Sequence, residues 1–142
     1  MTTAHNKQDQ RSLALWAADC AEQVLPFFEQ KHPQDNRPRK AIEAARAWVR
    51  GEIKCGAARN AAVAAHAAAR STNDAAACAV AQATGHAAGT AHMPDHARQA
   101  AAYALKALAE KWNVDHLREQ PITTYGFLDC DITTPERPRN QK

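Results

Sequence analysis

Between Gly56 and His92 the chain carries almost no large apolar side chain; Val63 and Val80 are the exceptions. The stretch is nevertheless apolar, built from alanine in runs such as AAVAAHAAAR (61–70). Alanine is the strongest helix former. A helix that is apolar nearly all round belongs in the interior. Such helices are thin, so neighbouring backbones can approach toward the short end of the usual ~8–10 Å spacing. The segment therefore predicts two central alanine helices, near 57–71 and 74–92, with bulkier helices packed over them. STND (71–74) supplies the turn and a capping residue between them.

The bulky residues sit at the two ends of this segment. Leu13, Trp16, Ala17, Cys20, Val24, Phe27 and Phe28 recur with helical spacing and predict a first helix from Ser12 to about Gln30. Pro26 should kink it or end it early. KHPQDNRPRK (31–40) is a loop, and Pro38 suits the first turn of a helix reaching about Ile53. Gly51 and Gly56 bracket its end. A fifth helix starts near Pro94, with Ala97, Ala100, Ala101, Ala104, Leu105, Leu108 and Trp112 as its inner stripe. The expected fold is all-α: a compact bundle of five to six helices around a central alanine-rich helical hairpin. Its expected domain is 12–120, after a flexible stretch at 1–11 and before an irregular tail at 121–142, where a short strand at 122–128 is conceivable.

Composition narrows the function classes. Alanine accounts for 34 of 142 residues, while Leu, Ile, Val and Phe together number 19. So few bulky residues raise the question of disorder. A net charge of only +3 and the abundance of helix formers oppose it. The charge is spread along the chain with no basic arm, so no nucleic-acid partner is expected. Arg59, Asn60, His66 and Arg70 interrupt the longest alanine-rich run, which excludes a membrane span there. The polar start MTTAHNKQDQRS lacks an apolar signal core, so a cytoplasmic location with reduced thiols is expected. The four cysteines share no CxxC spacing. Cys20 and Cys78 read as small packing residues.

Histidines are the distinctive polar feature. AAVAAHAAAR (61–70) aligns with AQATGHAAGT (81–90) at an offset of 20 and pairs His66 with His86. GHAAGTAHMPDHA (85–97) then sets His86, His92 and His96 within eleven positions. His86 and His92 point about 120° apart on one helix. His92 and His96 have ligand-like spacing, but Pro94 breaks the helix between them. Only Asp95 is a nearby carboxylate. Polar contacts and caps are the favoured role, ahead of partner binding and of a metal site, and no metal or other cofactor is expected. No catalytic or nucleotide-binding motif is present. Asp19 and Glu22 read as ordinary surface charges. Arg39, Glu43, Arg46 and Arg50 line one face of the second helix, with Trp48 beside them. That face reads first as solvated with local ion pairs, and second as a binding surface, because Arg and Trp are favoured hot-spot residues.

The series LALWAADCAEQVLPFFE (13–29), RPRKAIEAARAWVRGE (37–52), AAHAAAR (64–70), GHAAGTAH (85–92) and HARQAAAYALKA (96–107) resembles the immunity-five-like family of bacterial immunity proteins. The resemblance covers about 12–120. It implies an all-α domain encoded beside a toxin of a polymorphic toxin system, protecting the producing cell by binding that toxin without acting as an enzyme. Positions that look like the family signature include Trp16, Asp19, Cys20, Asp35, Arg37, Pro38, Arg39, Trp48, His66, Arg70, Gly85, His86, His92, His96 and Tyr103. The residues expected to meet the toxin are Asp35, Arg37, Arg39, Arg46, Trp48, Arg50, His92 and His96. Those expected to be structural are Trp16, Cys20, His66, His86 and Tyr103. A histidine-based metal or enzymatic domain and a generic helical scaffold remain the competing readings, and self-association is left open.

Overall fold

The computed structural model describes residues 3–116, with side chains from 7 to 113. The tail at 121–142, and with it the strand considered at 122–128, lies outside the described residues. Five helices follow one another: α1 (Thr3–Lys31), α2 (Arg37–Val49), α3 (Cys55–Arg70), α4 (Ala75–Gly89) and α5 (His96–His116). No strand occurs among the described residues. The fold is the all-α bundle that the alanine pattern requires.

α4 is the axis of the bundle. Every residue from Ala76 to Gly89 is buried. α1, α2, α3 and α5 all pack against it. Around it, α5 neighbours α1, α1 neighbours α2 and α2 neighbours α3, whereas α3 and α5 do not touch. The enclosing ring is therefore open on one side. Four helices can converge on one because most of its buried residues are alanine or glycine, and Val80, Gln82, Thr84 and His86 are its larger buried side chains. Volume comes from outside it, through Val24, Leu25 and Phe28 of α1 and Ile42 of α2. α3 buries one alanine face, Ala58, Ala62, Ala65, Ala68 and Ala69, and exposes Val63 on the other. Of the two alanine helices, α4 alone is enclosed all round.

The helix ends follow from local chemistry. Pro38 stands in the first turn of α2. Gly51, at φ 77°, ends that helix. Its N–H donates to Trp48 O and the next N–H, of Glu52, donates to Ala47 O. These two bonds are the Schellman pattern, which needs the left-handed backbone that glycine adopts without strain. Gly56 plays no such part and lies within α3. Asp74 caps α4, its carboxylate accepting from the Ala77 N–H at 2.9 Å.

Three expectations change. α1 begins at Thr3, well ahead of the Ser12 start that the apolar spacing predicts. Gln10 gives the extension a purpose: its Nε2 donates to Thr90 O at 2.8 Å and Ala91 O at 3.1 Å, satisfying carbonyls at the end of α4. Pro26 does not end α1, which runs on to Lys31; the proline ring faces solvent, where the carbonyl it orphans can be hydrated. The inner stripe of α5 is Ala97, Ala100, Tyr103, Ala104 and Ala107. Leu105, Leu108 and Trp112, placed inside by periodicity, are exposed, as is Trp16 on α1. A thin α4 draws its neighbours in by their smallest side chains, and rotates the bulky ones onto the flanks. Among the described cysteines, Cys20 and Cys55 are free thiols, and Cys78 is buried on α4 as the small packing residue that the sequence suggests.

The same substitution should therefore have opposite consequences on two helices. Ala81→Leu, at a fully buried position of α4, should cost about 1–3 kcal/mol through overpacking. Ala102→Leu, on the exposed side of α5, should stay within about 0.5 kcal/mol. Thermal melts followed by circular dichroism check both; equal effects would remove α4 from the centre.

Candidate functional site

Two polar constellations stand out. The first is built on α4 where the ring is open. His86 is buried on that helix. His66 approaches from α3, with ring centroids 4.9 Å apart and planes at 70°. His96, the first residue of α5, comes from the other side at 5.0 Å. Tyr103, two turns into α5, stacks on His86 at 5.5 Å with planes only 10° apart. His66 Nδ1 donates to Gln82 Oε1. His86 Nδ1 and His96 Nδ1 are 2.8 Å apart, so one donates to the other and at most one carries a proton there. His86 Nε2 is buried without a hydrogen-bond partner.

The rings lie close because α4 has no side chain beneath two of them. A Cβ built on Gly85 would fall 2.7 Å from His66 Cε1 and Nε2; one on Gly89 would fall 3.1 Å from His96 Cγ. Burial keeps the imidazoles neutral. His86 is pushed down to about 3, by burial first and then by the His66 and His96 rings. His66 is lowered by burial, against the Gln82 hydrogen bond. Burial also lowers His96, helped by His92 and opposed by Asp95. The histidine cluster is thus His66, His86 and His96. The sequence run suggests His92 as its third member, but that residue lies exposed in the turn after α4. The offset-20 repeat is the signal that does find His66; Gly85 stands only among the family-signature positions, and Gln82 and Gly89 carry no signal. Among the described residues no three His, Cys, Asp or Glu groups are placed to hold a metal ion.

The second constellation joins α1 to α2. Arg39 makes two bonds of 2.7 Å to the carboxylate of Glu29. Arg46 Nη2 lies 2.8 Å from Asp19 and 2.6 Å from Glu22. Asp35 and Arg37 pair within the connecting loop at 2.7 and 2.9 Å, and Asp35 also accepts the Arg37 backbone N–H. Arg50 pairs with Glu52 beyond the end of α2. The guanidinium of Arg39 holds Glu29 below the usual carboxylate range, and Arg37 does the same to Asp35. These arginines bond across to α1 or within their own loops, not along the helix as its spacing suggested. Asp19 and Glu22 are partners that sequence reasoning left as plain surface charges, and Glu29 is one that it did not single out. Trp48 is half-buried beside the row.

The structure groups the remaining expected residues differently from the sequence. His96 belongs with the buried cluster and not with the arginine row. Tyr103 is buried and Cys20 is half-buried. Trp16, expected to pack inside, stands at the surface on α1.

Two predictions follow from the cluster. The three imidazoles titrate in the folded chain below their ordinary value of 6.5. On acidification the unfolded chain takes up protons that the folded chain refuses. The cluster's contribution to stability is whole above about pH 6.5 and is lost progressively as pH falls toward about 3, the folded value of His86. Melting temperature should fall between pH 7 and pH 4, and His86→Gln should make the fall shallower. Gly85→Ala should destabilise by about 1–3 kcal/mol, because its methyl meets a ring wedged between helices. Gly89→Ala should cost less, since its methyl would fall 3.1 Å from the His96 ring against 2.7 Å from the His66 ring at Gly85, and the gain of up to about 1 kcal/mol in helix propensity is common to both. Urea titration orders the two.

The family model described as Imm-5 like putative immunity protein matches residues 3–125. No curated protein and no solved structure matches the chain. The matched span runs through all five helices and takes in both the imidazole cluster and the arginine–carboxylate clasp, so the chain belongs to the Imm-5 like family of immunity proteins.

Proposed function

We propose that this chain neutralises a cognate bacterial toxin by binding it directly, in the cytoplasm of the producing cell, and that it acts by contact without catalysing a reaction. The observation that carries this reading is the family match over residues 3–125. The chemistry of the two constellations supports it. The imidazoles are neutral, hydrogen-bonded to Gln82 or between His86 and His96, and packed among three helices, which suits a polar seam in the core better than a reactive centre. None of the helices described is long and apolar enough to cross a membrane.

The arginines take a more limited part in this reading than the sequence suggested. Arg39 and Arg46 are already committed to carboxylates of α1, so a partner gains from them only what exceeds the loss of those bonds. We place Asp35, Arg37, Arg39, Arg46, Trp48, Arg50 and His92 at the rim of the toxin contact, where ion pairs select a partner more than they hold it.

The test is co-expression with the toxin gene encoded beside this one. Cells carrying the toxin and the wild-type chain should grow, and cells carrying the toxin alone should not. Loss of growth in both would sink the reading. Arg39→Ala and Arg46→Ala should each change stability by less than about 1 kcal/mol, as exposed ion pairs do. They should weaken toxin binding by about tenfold or less. Metal analysis of chain purified without chelator should find well under one equivalent of zinc, iron or nickel.

A further inference from the structure

α4 is buried on a side that no described helix covers. α3 and α5 border that side and do not touch. Three residues of α4 come to the gap between them. Gln82 takes the hydrogen bond of His66 from α3, and His86 receives the Tyr103 ring from α5. Cys78 lies one turn before Gln82 and two before His86, on the same face. All three are nevertheless buried, Cys78 at 6% exposure, Gln82 at 7% and His86 at 3%.

The described side chains explain this burial at one end of the gap only. Around His86 the rings of His66, His96 and Tyr103 close it. Around Cys78 they do not reach. One turn beyond His66, toward the hairpin turn, α3 presents the methyl of Ala69 and an exposed Arg70. α5 runs antiparallel to α4, from His96 beside Gly89 to Glu110 within electrostatic reach of Asp74. Near Cys78 it presents Lys106 and Glu110, which share the flank of Tyr103. Both are half-buried although that flank borders the gap, and burial pushes the Glu110 carboxyl up, against Lys106 and with Asp74. A buried thiol and two half-buried charges beside helices that do not meet require a cover.

The cover belongs to this chain and lies beyond α5. α1 and α2 enclose the other sides of α4. Residues 1–2 precede α1 at the far end of α4, where Gln10 meets Thr90. Residues 117–142 follow α5 past Glu110, at the Cys78 end. From Cys78 to His86 the helix rises about 12 Å, the length of about four extended residues. The eleven residues ITTYGFLDCDI (122–132) exceed that span. They bring β-branched and aromatic groups, which suit extended chain. Ile122, Tyr125, Phe127, Leu128 and Ile132 supply the bulk that a cleft floored by small side chains lacks.

We infer that the α3–α5 cleft is the docking site of the chain's own segment 122–132, which lies along α4 over Cys78 and Gln82 and closes the ring of helices. The segment bounds the histidine cluster on its Gln82 side. This holds whether or not the chain acts as an immunity protein.

The experiment uses the reduced full chain, in which three cysteines report on three places. Cys78 lies in the cleft, Cys20 on α1 and Cys55 in the first turn of α3. Diamide accepts the two hydrogens of a thiol pair and leaves a disulfide. Peptide mapping should find Cys130 joined to Cys78 at least tenfold faster than to Cys20 or Cys55. Equal rates, or a preference for either of the others, would overturn the inference. Without diamide, iodoacetamide should modify Cys78 at least tenfold more slowly than Cys55; a Cys78 as reactive as Cys55 would also overturn it. Phe127→Asp and Leu128→Asp should each release the segment and raise the Cys78 rate tenfold or more, with Cys20 unchanged. A Cys78 still protected in both would show that another segment covers the cleft. Where a variant loses helical signal and all thiols react together, the diamide result on the wild-type chain decides.

Discussion

Four helices can share one central helix if that helix is narrow, and the rest of the molecule adapts to this condition. From Ala76 to Gly89, α4 offers its neighbours mostly methyl groups and bare backbone, with Val80, Gln82, Thr84 and His86 as its larger side chains. The neighbours respond in kind, with Ala14, Ala17, Ala18 and Ala21 turned inward from α1 and Ala97, Ala100, Ala104 and Ala107 from α5. Close approach gains dispersion contacts over many short side chains in place of a few long ones. It also leaves little room for the leucines and tryptophans that would ordinarily fill a core, and these are displaced to the flanks. The exposed leucines and tryptophans and the small-residue core are two results of one packing decision.

The polar content of the interior obeys the same geometry. An imidazole is flat, and it fits between two helices where one of them presents glycine. Gly85 and Gly89, a turn apart on α4, create two such places, and His66 and His96 occupy them on either side of His86. The cluster thereby ties α3 and α5, which do not touch, to the helix between them. Buried neutral rings fix register through hydrogen bonds at Gln82 and between two Nδ1 atoms, while the open side of the ring brings this seam near the surface.

How far these features were legible in the sequence depended on how local their causes were. The helices, the Asp74 cap and the Gly51 stop are set by residues within a turn of one another, and the sequence exposes them. The pairing of His66 with His86 was visible as a repeat, because two similar segments in a hairpin can meet. The facing of α5 was not visible: alanine and leucine count alike in a hydrophobic period, and only the width of α4 decides which is turned inward. Nor were the partners of Arg39 and Arg46 visible, since Glu29, Asp19 and Glu22 reach them from another helix. Gln10 belongs to the same class, at a separation of 80 residues from the carbonyl it satisfies.

The small-residue core has a thermal consequence. The heat capacity of unfolding rises with the apolar area that unfolding exposes. An alanine exposes one methyl where leucine exposes a whole branched chain. A chain that keeps several of its largest apolar groups in contact with water when folded exposes still less on melting. Its heat-capacity increment should lie below the usual ~12–15 cal/mol/K per residue, and its stability should vary unusually little with temperature. Such a molecule would bind its partner with much the same folded population in the cold as at the upper end of growth.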